Sequence, residues 1–186
     1  ALSMYGTELA AAGRMDEAER TLRAAAPAFP PARFYHGTVL SRLGRTDDAI
    51  SAFQEYIRVE TPTLMQVHTA RELLAGLLLE KNRLPEAERI YRDMLATQPG
   101  DAEPLAQLAR VLVRKGEYPE AIDRYKAYLA RVPVNARAWT GLGVVLIGYR
   151  GPGWRAAIGA GMGQPRLRRG DDAIGHLGGA LARIGN

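Results

Sequence analysis

The chain has 186 residues, 47% of them apolar, with a formal net charge of +5 and no cysteine. It is long enough to bury a continuous core, and the lack of thiols excludes disulfides and thiolate metal sites. No run of 18 apolar residues occurs, VVLIG at Val144–Gly148 being far too short, which excludes a membrane-spanning helix.

No signal peptide is visible, and a chain without cysteine fits the cytosol or an oxidising compartment, so the compartment stays open, with the cytoplasm preferred and the periplasm the alternative. Arginine outnumbers lysine 22 to 3, a bias of GC-rich genomes that points to a bacterial source.

Read in chain order, one pattern returns. An alanine follows an acidic residue at the start of a helical stretch in GRMDEAERTL (Ala18), GRTDDAISAF (Ala49), NRLPEAERIY (Ala87) and GEYPEAIDRY (Ala121). The spacings are 31, 38 and 34 residues. A period in this range marks a stacked helical array, in which neighbouring units cover each other's apolar faces. The expected repeats run from about 1–30, 31–61, 62–100 and 101–134, followed by a degenerate, Gly-rich 135–169 and the first helix of a sixth at 170–186, all in one array.

Each unit reads as two helices. In the first, Gly6, Gly13, Ala18, Leu22, Ala25 and Pro30 fall at the repeating positions. In the second, Phe34, Gly37, Leu40 and Leu43 form a stripe that Gly44 stops. Asp47 and Asp48 suit the positive end of the next helix, which should carry Ala49, Ile50, Phe53 and Ile57 inward before Pro62. The third unit has Asn82 at the turn, the next best residue after glycine for a left-handed cap. The longer spacing before it predicts a first helix extended by about one turn, starting near Pro62. The fourth unit repeats the pattern with Leu105, Leu108, Leu112, Gly116, Pro119, Ala121, Tyr125, Leu129 and Pro133. Pro85 and Pro119 sit in first turns, where a missing N–H is tolerated.

Small residues recur twelve positions apart, as Gly6 with Ala18, Gly37 with Ala49, Ala75 with Ala87 and Ala109 with Ala121. Such pairs let two helix backbones approach closely. The aromatic slot of the second helix holds Phe53, Tyr91 and Tyr125. This order of small residue, turn glycine, alanine, aromatic and closing proline resembles the tetratricopeptide repeat (TPR) family over residues 1 to about 133. The resemblance implies an all-α fold, a right-handed superhelical array of antiparallel helix pairs (a TPR solenoid).

After Pro133 the pattern decays. Residues 134–186 hold 13 of the 20 glycines, with seven arginines and two aspartates, so the formal charge lies at this end. Trp139, Leu142, Gly143 and Leu146 fit the first helix of a fifth repeat. Gly151, Gly153, Gly159, Gly161 and Gly163 would each cost roughly 1 kcal/mol inside its second helix. The tail GDDAIGHLGGALARIGN reads either as the first helix of a sixth repeat or, through Asp171 and Asp172, as the second helix of the fifth after an insertion. The first is preferred because Gly178 and Gly185 fall in register. On that reading the chain is a slice of a longer array.

Catalysis finds little support. His36, His68 and His176 make no H-x-x-x-H pair, and His36 lies in the packing stripe. Gly159-Ala160-Gly161-Met162-Gly163 lacks the strand and the Lys-Ser/Thr of a phosphate loop. Arg169-Gly170-Asp171 is a chance tripeptide. No catalytic residue, cofactor or metal is expected. Arg166, Arg168 and Arg169 with Trp154 are the only basis for nucleic-acid binding, and the neutral repeat region and the adjacent Asp171 and Asp172 argue against it.

The family resemblance implies instead a protein-binding scaffold whose first helices line a concave groove for a peptide or partner protein. Helical spacing places Phe34, Tyr35, Thr38 and Arg42 on that face in the second unit, Glu72, Gly76 and Glu80 in the third, and Gln107, Arg110 and Arg114 in the fourth. Phe34 and Tyr35 would be an aromatic anchor, and Arg110 with Arg114 would grip a carboxylate. The Lys and Asn pair with which related domains clamp chaperone tails is absent, since Ser3 and Thr7, Phe34 and Thr38, and Ala106 and Arg110 stand there. Two alternatives remain: a recruiting or regulatory segment of a larger enzyme or of an assembly or secretion machinery, and a homo-oligomer stacked through terminal repeats by Ile174, Leu177 and Leu181.

Overall fold

The computed structural model describes residues 2–59 and 64–149. Among these residues the structure is helical throughout and contains no strand. The helices are α1 (Leu2–Ala11), α2 (Met15–Ala25), α3 (Pro31–Arg42), α4 (Thr46–Val59), α5 (Leu64–Glu80), α6 (Leu84–Thr97), α7 (Glu103–Lys115), α8 (Tyr118–Arg131) and α9 (Ala136–Gly148). The readings placed on the basic segment and on the tail, including Arg166, Trp154, Ile174, Leu177 and Leu181, lie outside the described residues.

Contacts divide the chain into two compact units, Ala1–Met94 and Leu95–Asn186. In the first, α1 packs on α2, α2 on α3, α3 on α4 and α4 on α5, while α1 also touches α3. In the second, α7 packs on α8, α8 on α9, and α7 touches α9. Within each of these two runs, α1 to α5 and α7 to α9, successive helices are neighbours, as in a repeat architecture.

The turns between paired helices share one geometry. Gly13, Gly44 and Gly116 take φ of 76°, 73° and 81°, and Asn82 takes 61°, all left-handed. The next residue then closes the helix end: Arg14 N donates to Leu9 O, Arg45 N to Leu40 O, Arg83 N to Leu78 O and Glu117 N to Leu112 O, at 2.8–3.0 Å. This is the Schellman arrangement, which satisfies carbonyls that a helix end would otherwise leave unpaired.

The helices that follow three of these turns start on a charged clamp. Arg14 Nε donates to Glu17 at 2.7 Å, Arg45 Nε to Asp48 at 2.7 Å and Arg83 Nε to Glu86 at 2.6 Å. The acidic residue before Ala18, Ala49 and Ala87 therefore does more than face the helix dipole. Its hydrogen bond holds Glu17 and Glu86 below the usual carboxylate range.

Burial follows the helical period. In α4, Ala49, Ile50, Phe53 and Tyr56 are fully buried, whereas Asp47, Asp48, Ser51, Gln54, Glu55 and Arg58 are exposed. Tyr56 takes the deep place expected for Ile57, which is half-buried. The aromatic slot is confirmed, with Phe53, Tyr91 and Tyr125 all buried. Helix α5 is 17 residues long against 12 in α3 and 13 in α7, so the extra residues before Asn82 extend this helix.

The close approach of paired helices has a more specific cause than two facing small residues. A Cβ on Gly37 would lie 2.9 Å from Phe53 Cε1, and one on Gly6 would lie 2.6 Å from Leu22 Cγ. The glycine makes room for the large side chain sixteen positions on, in the aromatic slot, and Ala18 and Ala49 are buried beside it.

Candidate partner-binding face

In the first unit, α1 and α3 line a cavity of about 240 Å³ with Thr7, Ala10, Ala11, Tyr35, Thr38, Val39, Arg42 and, from α2, Leu22. Leu22 and Val39 are buried and form its apolar floor. Thr38 Oγ1 donates back to the Tyr35 carbonyl at 2.7 Å, which leaves its methyl and the oxygen lone pairs toward the surroundings. Arg42 is exposed at the end of α3, and among the described residues no acidic partner engages it. Tyr35, Thr38 and Arg42 are therefore brought together, as expected, and Thr7, Ala10 and Ala11 join them from α1.

Phe34 stands differently. Its ring is half-buried and packs against Phe53 (centroids 6.0 Å apart), Tyr56 (5.7 Å) and Tyr35 (5.4 Å, planes at 75°). Edge-to-face packing of this kind favours a fixed ring. Phe34 thus braces Tyr35 from behind and ties α3 to α4, and it does not line the cavity.

On α5, Glu72 lies 3.5 Å from His68, and Glu80 is exposed one turn beyond Gly76. Gly76 has open space where a side chain would be. In the second unit, α7 carries a polar chain: Gln107 Nε2 donates to Glu103 at 2.9 Å, and Arg110 Nη1 donates to Gln107 Oε1 at 2.8 Å. Arg110 is therefore oriented by a neutral amide. Arg114 is exposed one turn further on.

The sequence reading missed two clusters. The first surrounds Glu19, whose carboxylate is buried between α2 and α3. His36 Nε2 lies 3.2 Å from it, Arg45 Nη1 3.5 Å and Arg23 Nη1 3.7 Å. A wider cavity of about 660 Å³ opens beside it, lined by Asp16, Glu19, Arg20, Arg23, Leu43 and Arg45. His36 is thus a structural histidine, as its place in the stripe suggested. The second cluster centres on Tyr125. The Tyr125 phenol of α8 reaches α9 so closely that a Cβ on Gly141 would lie 2.6 Å from its oxygen. Burial pushes this phenol above its ordinary value, with Arg110 and Arg137 pulling the other way. The one visible signal was a glycine, Gly141, a turn after Arg137 in an otherwise apolar helix.

The junction of α8 and α9 is closed by Asn135, which accepts from Ala138 N at 2.9 Å and donates to Tyr128 Oη at 2.7 Å. Trp139 Nε1 donates to the Pro133 carbonyl at 2.9 Å. These bonds hold α9, and with it Arg137 and Gly141, against the fourth repeat.

Three profiles of the tetratricopeptide repeat match this sequence, over residues 1–24, 34–102 and 78–144. The chain belongs to the TPR family. Solved TPR structures superpose on nearly its whole length. The crystal structure of MamA gives a TM-score of 0.71 at 19% identity, covering 96% of this chain and 94% of that one. MamA (41-end) from Desulfovibrio magneticus RS-1 gives 0.73 at 16% identity, covering 100% and 95%. YrrB, described as a TPR protein with an unusual peptide-binding site, gives 0.74 at 16% identity, covering 98% and 90%. Identities this low establish a shared fold, the all-α TPR solenoid, and leave function to the residues of each chain. No curated protein sequence matches this one.

Proposed function

We propose that this TPR array is a protein-interaction scaffold that docks a peptide or a partner protein on the face formed by its first helices. The observation that carries the reading is the cavity between α1 and α3, with its buried apolar floor and, at its rim, the guanidinium of Arg42, which no acidic group engages among the described residues. A cavity of this size accepts one apolar side chain, and Arg42 selects an acidic neighbour on the same ligand. Fold kinship with YrrB, a TPR protein with an unusual peptide-binding site, is in keeping with this. Nothing in the cavity resembles a nucleophile with its base, and the role needs neither catalysis nor a cofactor.

Selection from a random peptide library tests it. The enriched peptides should share an apolar residue next to an acidic one and should lose binding to the Arg42→Glu protein at unchanged melting temperature. Peptides that bind the variant as well as the wild type would place the site elsewhere.

A further inference from the structure

We infer that the wide cavity beside α2 is a binding site for a free α-amino acid, whose ammonium group meets Glu19 and Asp16 and whose carboxylate meets Arg20 and Arg23. The cavity measures about 660 Å³ and is lined by these four side chains together with Leu43 and Arg45, from the end of α3 and the turn after it. It shares no lining residue with the α1–α3 cavity, so the inference stands apart from the peptide-docking reading.

The floor of the cavity is an acidic side chain with one oxygen unspent. Glu19 is only 6% exposed. Its contacts with His36 at 3.2 Å, Arg45 at 3.5 Å and Arg23 at 3.7 Å all fall on Oε1, and only the first is a hydrogen bond. Among the described residues Oε2 accepts no hydrogen bond. No side-chain oxygen sealed from solvent lacks a partner among them either, so Oε2 opens on the cavity that Glu19 lines. A polar atom of a buried side chain ordinarily has a partner, and this one is placed to take a donor from outside.

The order of side chains along α2 specifies the ligand. Asp16 and Glu19 come first and Arg20 and Arg23 follow, all on one side of the helix by their spacing. The acidic pair and the basic pair are offset by four residues, about 6 Å along the axis. Among the described residues no acidic side chain pairs with Arg20, and Arg23 makes no hydrogen bond. Arg45 is already engaged, with Nε and Nη2 both 2.7 Å from Asp48 Oδ2. The cavity therefore offers acceptors at one end and unspent donors at the other. A lone anion would lie against Asp16 and Glu19, and a lone cation against three arginines. A ligand that carries a cation and an anion a few bonds apart satisfies both ends, through the ammonium donors and the fork of a guanidinium on a carboxylate. A free amino acid is built this way. Leu43 gives its side chain an apolar contact, and the volume lies within the range of about 300–1,000 Å³ usual for small-molecule sites.

Titration of free alanine, leucine, glutamate and lysine into the full chain tests this, with the backbone amide resonances of Arg20, Arg23 and Arg45 as the readout. At least one amino acid should shift all three. Its N-acetyl derivative, which lacks the ammonium group, and its amide, which lacks the carboxylate, should each bind about tenfold more weakly or less well still, the worth of one hydrogen bond to a charged group. Arg20→Ala and Asp16→Asn alter the two ends separately. Both residues are exposed, so each variant should keep the wild-type melting temperature and lose about tenfold in affinity. No shift with any of the four amino acids, equal binding of either derivative or of acetate, or full binding by either variant would overturn the site. Arg42→Glu should leave the amino-acid response in place, so this inference and the α1–α3 reading fail independently.

Discussion

Gly37 and Phe53 are placed so that one added methyl on the glycine would meet the phenyl ring at 2.9 Å. Both belong to the α3–α4 pair, and Phe53 is fully buried, so the ring has little room to yield.

Gly37→Ala should therefore destabilise the protein by about 1–3 kcal/mol through overpacking, despite alanine's better helix propensity. Gly76→Ala is the matched control. Its site is open, so the helical gain of about 0.5–1 kcal/mol should appear as a rise in stability. Urea melts of the two variants check opposite signs, and a destabilising Gly76→Ala would mean that the α5 face is covered.

Glu19 is a buried acidic side chain facing His36 and two arginines. Glu19→Ala should cost about 1–3 kcal/mol, because His36 and the two arginines lose their acceptor. His36→Ala in the Glu19→Ala background should cost less than His36→Ala alone. Additive losses in that double-mutant cycle would show that the 3.2 Å contact contributes nothing.

Asn82 holds a left-handed conformation at φ 61° where the other turns use glycine. Asn82→Gly should be neutral or slightly stabilising, and Asn82→Ala should lose about 1 kcal/mol, because alanine pays the steric penalty without asparagine's local bonding. Thermal melts of both variants decide it.

Alkaline pH should unfold the protein through its buried phenols. Burial raises the values of Tyr125 and Tyr128 above the ordinary tyrosine range. The folded state thus holds these protons more tightly than the unfolded chain. The associated stability is complete below about pH 10 and is lost as pH rises through the folded values. Melting temperature should be level from neutrality to that point and then fall, and Tyr125→Phe should shallow the fall. Identical alkaline profiles for the variant and the wild type would remove Tyr125 from the cause.

The repeat skeleton was legible because its determinants are local. A turn residue with positive φ, a proline in a first turn and an apolar stripe each act within a few residues, and all four turns formed where Gly13, Gly44, Asn82 and Gly116 placed them. Tyr35, Thr38 and Arg42 were placed together for the same reason, by spacing along α3. Phe34 was not, because helical spacing gives a direction but not the depth of a neighbouring ring such as Phe53. Glu19 and Tyr125 lay beyond reach for a related reason. Their partners come from other helices, across His36 in one case and Gly141 in the other, and no pattern along the chain records that meeting.

The four closing bonds to Leu9, Leu40, Leu78 and Leu112 all begin and end within one hairpin. Each hairpin therefore carries the instructions for its own reversal, and these occupy the turn and its two flanking residues. The outward positions of the first helices, among them Thr38, Arg42, Arg110 and Arg137, carry none of them. Selection can rewrite those positions one side chain at a time while the reversals stay as they are, so the scaffold can change its partner without having to relearn how to fold.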